Sequence, residues 1–101
     1  MIHFRQGDVF IEQGPIPSDA NPMMGPRIIL AAGEVTGHHH VIVAEPTVCQ
    51  AYEKDGKIYL HVKSPVYLMH EEHKSIMLPV GKYVSHIQRE YDPIESRRVA
   101  D

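Results

Sequence analysis

The most regular alternation of apolar and polar residues in this chain lies between residues 57 and 63. Ile58, Leu60 and Val62 occupy every second position there, and polar or charged residues separate them. A period of two predicts a half-buried β-strand. Asp55-Gly56 immediately precedes this stretch and follows another β-prone stretch, residues 48–53. Asp-Gly between two such stretches predicts a β-hairpin in which Gly56 has a positive φ.

Further short apolar stretches, separated by glycine and proline, recur along the chain. Residues 14–26 hold four of the eight prolines and are predicted to form a loop. No window shows a sustained 3.6-residue period, and there is no internal repeat. The pattern therefore predicts a small single-domain all-β protein over residues 1–101, either a barrel or a sandwich, with a tail at 92–101 that allows a short helix. The predicted strands cover residues 9–11, 27–32, 38–45, 48–53, 57–62, 66–69, 75–78 and 82–91.

Composition narrows the classes of function. The formal charge is −3, with 10 basic against 13 acidic residues, so nothing indicates nucleic-acid binding. No apolar stretch approaches the roughly 20 residues of a membrane span, and no signal peptide opens the chain. The single Cys49 cannot form an internal disulfide and is expected to be a small buried hydrophobic residue. We therefore expect a cytoplasmic protein.

Eight histidines are present, and five of them lie in two short segments, Gly33–His40 and His70–His73. On a strand, His38 and His40 would point to the same face, and the i, i+3 spacing lets His70 and His73 share a face in a helical turn. We predict that these four imidazoles bind one divalent transition metal, Zn, Fe, Ni or Cu, with Zn first. The alternative is that the histidine-rich turns are merely solvated. The carboxylates able to replace one imidazole are Glu45, Glu71 and Glu72.

A family resemblance points the same way. His38-x-His40 followed by four residues and Glu45, with Pro79-x-Gly81 downstream, resembles the two motifs of cupins. In cupins, two histidines and a glutamate of the first motif and a histidine of the second bind a metal inside a small β-barrel. The resemblance implies a cupin-like barrel in which His38, His40 and Glu45 are ligands. Val84 stands where the second-motif histidine belongs. The residues left open as additional members of the site are His39, Glu71, Glu72 and His86.

Gly33–His38, His70–His73 and Gln88–Tyr91 also resemble segments of small uncharacterised bacterial and phage proteins, a resemblance that implies no activity. Two hypotheses of function result. The first is a metal-binding small β-barrel protein that acts on or senses a small molecule. The second is a non-catalytic interaction module of phage or mobile-element origin with a histidine-rich partner surface. No motif positions a nucleophile, so catalytic residues remain unassigned. The expected partners are a small molecule or another protein, and a homodimer stays open.

Overall fold

The fold consists of short β-strands joined by tight turns. The structure, a computed structural model, describes residues 3–32 and 39–87, and all helical or strand structure in these two ranges is β-strand. None of it is a helix that could cross a membrane. The strands are β1 (His3–Gln6), β2 (Val9–Gln13), β3 (Asn21–Pro22), β4 (Arg27–Ala32), β5 (His39–Val43), β6 (Cys49–Lys54), β7 (Lys57–Val62), β8 (Val66–Met69), β9 (Ile76–Leu78) and β10 (Gly81–Ile87).

These strands form two antiparallel sheets. The larger sheet has the order β1-β2-β10-β7-β6-β3, and the smaller sheet has the order β4-β5-β8-β9. Over the described ranges the strands remain in two sheets and do not close into one barrel. The prediction of an all-β fold is confirmed. One hydrophobic core joins the two sheets, and its buried members are Val9, Ile11, Ile28, Leu30, Ile42, Cys49, Ala51, Leu60, Val62, Val66, Leu68, Leu78 and Tyr83.

The alternating patterns predicted most of these strands to within a few residues. The hairpin between β6 and β7 is confirmed, because Asp55 and Gly56 have φ of 54° and 79°, the conformation of a type I′ turn. Three predictions lie outside the described residues: a strand start at His38, a last strand that continues past Ile87 to residue 91, and a tail at 92–101.

Two strands were not predicted. β1 contains one apolar residue, Phe4, so it carries no alternation; it forms because it pairs with β2 along its whole length. β3 lies inside the predicted proline-rich loop and pairs with the outer strand β6, with Pro22 opposite Tyr52. Proline is tolerated there because an edge strand has one side free of ladder hydrogen bonds.

An irregularity in β4 shapes the surroundings of the histidines. Ile29 pairs with Val41, but the next pair along the ladder is Ala31 with His40, so Leu30 is an extra residue. Such a bulge lets two successive residues contact the same side of a sheet. Leu30 is buried and Ala31 packs against the core, and both therefore lie on the side of the sheet toward which His40 points.

Candidate functional site

Three of the four predicted imidazole ligands come together. His40 lies on β5 and points inward like Ile42 two positions later, whereas His70 and His73 lie in the turn between β8 and β9. The ring centres of His40 and His70 are 4.3 Å apart, those of His70 and His73 are 4.6 Å apart, and those of His40 and His73 are 5.8 Å apart. We call these three residues the imidazole cluster. His38 lies outside the described residues.

A buried glutamine, Gln6, fixes which ring nitrogen of His40 carries the proton. The Gln6 side-chain nitrogen donates to the carbonyl oxygens of Leu68 at 3.0 Å and Lys74 at 2.8 Å. Because that atom must be the NH₂ group, Gln6 Oε1 is an acceptor, and His40 Nδ1 donates to it at 2.8 Å. Neutral His40 therefore carries its proton on Nδ1 and keeps the lone pair of Nε2 for another partner.

In His70 the Nδ1 atom has the opposite role, that of a hydrogen-bond acceptor. Its Nδ1 accepts hydrogen bonds from the backbone N–H groups of Glu72 at 3.0 Å and His73 at 3.2 Å. Nδ1 therefore bears no proton, and neutral His70 carries its proton on Nε2. This side chain closes the turn by accepting from the backbone, as Asn or Asp does in an Asx-turn. Coordination of a metal by neutral His70 would require the turn to open.

Gly7, in the turn between β1 and β2, makes room for the cluster. Its φ is +59°, and a Cβ atom there would lie 2.9 Å from His73 Nε2 and 3.2 Å from His40 Cε1. Arg5 Nε donates to the Gly7 carbonyl at 3.0 Å and holds the turn in place. A side chain at position 7 would thus meet both a strained backbone and the two imidazoles.

The environment keeps His40 neutral. Burial, the largest cause, and the positive charges that His70 and His73 can carry together lower the pKa of His40 to about 4, while Asp8 and Glu71 oppose the shift. His40 is 8% exposed. At neutral pH its imidazole is therefore a neutral donor, which is the form that binds a metal.

The ring separations can be compared with those of a metal site. With Zn–N bonds of 2.0–2.1 Å, the ion lies roughly 3.2 Å from each ring centre, so two rings on one ion are at most about 6.4 Å apart. All three separations fall below that limit. Nevertheless, in residues 3–32 and 39–87 no group of three or more His, Cys, Asp or Glu side chains is arranged to hold a metal ion. The hydrogen bonds of His70 Nδ1 leave His40 and His73 as the compatible pair.

The remaining candidate residues lie in different places. Glu45 is exposed beyond the opposite end of β5 from His40, and its carbonyl accepts from the backbone of Val48 and Cys49. His86 lies on the outward side of β10, with its Nε2 3.8 Å from Glu12 Oε2. Glu71 is next to the cluster, where its carboxylate accepts from the backbone N–H of His39 at 2.9 Å. Glu72 follows it in the turn, and its backbone N–H binds His70.

Two cavities flank the imidazole cluster. A cleft of about 480 Å³ is lined by Arg5, Gly7, Asp8, His40 and His73. A smaller cavity of about 230 Å³ is lined by His39, Val41, Met69, His70 and Glu71. The cleft contains both members of the compatible imidazole pair together with one cation and one carboxylate. It therefore combines metal donors with groups that can bind a charged small molecule.

Sequence reasoning identified the histidines but missed Gln6, Gly7 and Asp8 as parts of the site. The segment Gln6-Gly7-Asp8 is recognisable as a turn, yet nothing in it indicates what the turn contacts. The one available signal was a polar Gln6 directly before the turn, and its burial becomes evident only from the fold.

Comparison with known proteins gives a family and no named function. No curated protein and no solved structure matches the chain. Residues 5–88 match a family described as a domain of unknown function, DUF8820. The matched range includes both turns that build the cluster and every buried residue of the core. The chain therefore belongs to the DUF8820 family.

Proposed function

We propose that this protein binds one divalent transition-metal ion in the cleft, through Nε2 of His40 and the imidazole of His73. Zn is the first candidate, followed by Fe, Ni and Cu, because these ions favour neutral imidazole donors. The hydrogen bond from His40 Nδ1 to Gln6 is the observation that carries this proposal. It is the arrangement found around metal-binding histidines, in which the second ring nitrogen donates to a fixed oxygen.

The surroundings support an open site rather than a closed structural one. Two protein nitrogens leave coordination positions for solvent or a ligand, and the cleft of about 480 Å³ has the volume of a small-molecule site. Arg5 would bind an anionic group of that molecule, and Asp8 would hold or accept a proton. A metal in this place would supply Lewis acidity toward an oxygen-bearing ligand. The protein would thus act on a small molecule or sense it.

Of the cupin-like ligand positions, this proposal keeps His40. The cupin resemblance is supported by the two antiparallel sheets and by the inward position of His40 on a strand. Of the other positions that the resemblance implies, Glu45 lies beyond the far end of β5 and His86 lies on the outward side of β10. His38 stays a prediction. The fold class that we propose is therefore a sandwich with a cupin-like metal position, not a closed cupin barrel.

The test is metal binding by protein purified without a nickel column and stripped with chelator. We expect about one equivalent of Zn²⁺ or Co²⁺ per chain by calorimetry, with a Co²⁺ absorption spectrum that reports nitrogen ligation. His73→Ala should weaken binding at least about tenfold. Because His73 is exposed, this variant should fold normally, which a thermal melt verifies.

His61→Ala is the matched control, because His61 is a half-buried histidine on β7 that points away from the core. Its metal affinity should equal that of the wild type. Binding well below one equivalent by the wild type, or equal losses in both variants, would overturn the proposal. A His38→Ala variant in the same titration tests whether that residue is a further ligand.

A further inference from the structure

The smaller sheet is apolar on both sides. Its inner side carries core residues such as Ile42 and Leu68, which are fully buried. Its outer side carries large apolar residues that solvent reaches, with exposures from 37% for Ile29 to 57% for Val43 and Tyr67. Since one face of an antiparallel sheet is normally polar where it meets water, this sheet departs from the usual pattern. We define the outer apolar face as Ile29, Val41, Val43, Tyr67, Met69 and Met77.

The residues of the outer apolar face are contiguous. Ile29 pairs with Val41, and Val41 pairs with Met69, so these three side chains form one row across β4, β5 and β8. Tyr67 pairs with Met77, and this pair extends the surface onto β9. Within the described strands, Lys, Arg, His, Asp and Glu side chains occur only at the two ends of this face. Aromatic and methionine side chains without central charges are typical of the core of a protein interface.

The larger sheet provides an internal comparison. The residues on its outer side alternate with buried ones such as Ile11 and Tyr83. That side is mixed and polar, as expected for a surface in water. Its members include Phe10, Glu12, Gln50, Tyr52, Lys57, Tyr59, His61, Lys82, Val84 and His86. A contiguous apolar outer side is thus a property of the smaller sheet.

We propose that the outer apolar face binds a second copy of this chain, face to face, in a two-fold symmetric dimer. The distribution of charge favours a copy over an unrelated partner. Arg27 is exposed at one end of the face, and Glu71 is exposed at the other end, beside Val41 and Met69. A two-fold axis in the plane of the interface, midway between Arg27 and Glu71 and at right angles to the line that joins them, brings Arg27 opposite Glu71 of the partner subunit, twice. The face is therefore complementary to itself.

The size of the face predicts the strength of the dimer. Four strands about 4.8 Å apart, with a mean length of about 4.5 residues of 3.3 Å each, give a footprint of roughly 300 Å² per copy. The accessible surface of projecting side chains is larger than this flat footprint. The total area buried by two copies is therefore on the order of 700–1,000 Å², at the low end for specific interfaces. We therefore expect a reversible dimer. The partner would also cover the cavity of about 230 Å³ at the Glu71 end, and none of this requires the metal proposed above.

The test is sedimentation equilibrium of the chelator-treated protein between roughly 10 and 500 µM, the range in which a dimer of this size dissociates. The wild type should shift from monomer to dimer over this range. Tyr67→Glu introduces a charge at the centre of the face and should raise the dissociation constant at least about tenfold. Arg27→Glu should weaken the dimer several-fold, since it places like charges opposite each other.

Tyr59→Glu is the matched control, because Tyr59 lies on the outer side of the larger sheet and undergoes the same chemical change. Its dimerisation should equal that of the wild type, and thermal melts should show that all variants are folded. A wild type that stays monomeric up to about 500 µM would overturn the proposal. So would equal weakening by Tyr67→Glu and Tyr59→Glu, or a monomer that binds vesicles of neutral phospholipid instead.

Discussion

At the scale of single residues, Gln6 decides what the histidines can do. It is 3% exposed, and its amide group makes three hydrogen bonds, to His40 and to two backbone carbonyls. A buried amide without partners would cost about 1–3 kcal/mol, so these bonds are needed for burial at all. Because the two carbonyls fix which end of the amide is NH₂, they also fix the tautomer of His40. A structural requirement thus determines the chemistry of the site.

His40 makes stability depend on pH. In the unfolded chain its pKa is near 6.5, and in the folded protein it is lowered to about 4. The folded state therefore binds fewer protons, and stability is lost as pH falls from about 6.5 to about 4. The shift corresponds to a loss of up to about 3 kcal/mol. Urea unfolding at several pH values, with chelator present, measures it.

The control for this dependence is His40→Gln, which removes the titrating group but leaves the carboxylates. The variant should be less stable at pH 7, and its stability should fall less steeply between pH 6.5 and pH 4 than that of the wild type. Equal slopes for the two proteins would contradict the assignment of this pH dependence to His40.

At the scale of elements, two turns and one strand build the cluster. The β1–β2 turn brings Gly7, β5 brings His40, and the β8–β9 turn brings His70 and His73. Each of these elements is short. Short strands and turns are not stable in isolation, so each of these elements keeps its conformation because it packs against its neighbours. The hydrogen bonds of Gln6 to Leu68 and Lys74 connect the first turn to the second.

The turn of the β6–β7 hairpin is not part of the imidazole cluster, so its contribution to stability can be tested separately. Gly56 has φ of +79°, and a Cβ atom there would have no neighbour within 4 Å. Gly56→Val should therefore destabilise the protein by about 1–2 kcal/mol through backbone strain alone. Lys57→Val, at the next position on an exposed site of β7, should change stability by less than about 0.5 kcal/mol. A wild-type urea midpoint for Gly56→Val would argue against strain in this turn.

At the scale of the whole molecule, the core joins the two sheets and includes the thiol of Cys49. This residue is 1% exposed, and burial raises its pKa to about 11. The thiolate is the reactive form, so the native protein should react with a disulfide reagent only through unfolding. The labelling rate at pH 8 should therefore rise with urea in parallel with the unfolded fraction. Val80→Cys, at a position 60% exposed, should add one thiol that reacts at once, and rapid labelling of the wild type would contradict the prediction.

The sequence predicted the fold class, most strands and the membership of three histidines in one group. It did so where the information is local, as at 57–63, or where an uncommon residue type recurs, as at His70 and His73. It did not predict β1, the role of Gln6 or the apolar surface formed by Tyr67 and Met77. For these, residue type alone is misleading. A glutamine is usually exposed and a tyrosine on a strand is usually half-buried, and only the neighbours decide otherwise.

What the sequence alone determined is therefore the set of local conformations: alternation, the Asp-Gly turn and the placement of glycine and proline. These conformations depend on interactions between residues that are close in sequence, so they can be predicted from a short segment alone. The tertiary structure alone decided that the strands form two sheets, that Gln6 meets Leu68 across 62 positions of the chain, and that one sheet keeps an apolar outer side. Such contacts depend on how distant segments pack. Their free energies come from burial and hydrogen bonding that no single segment contains.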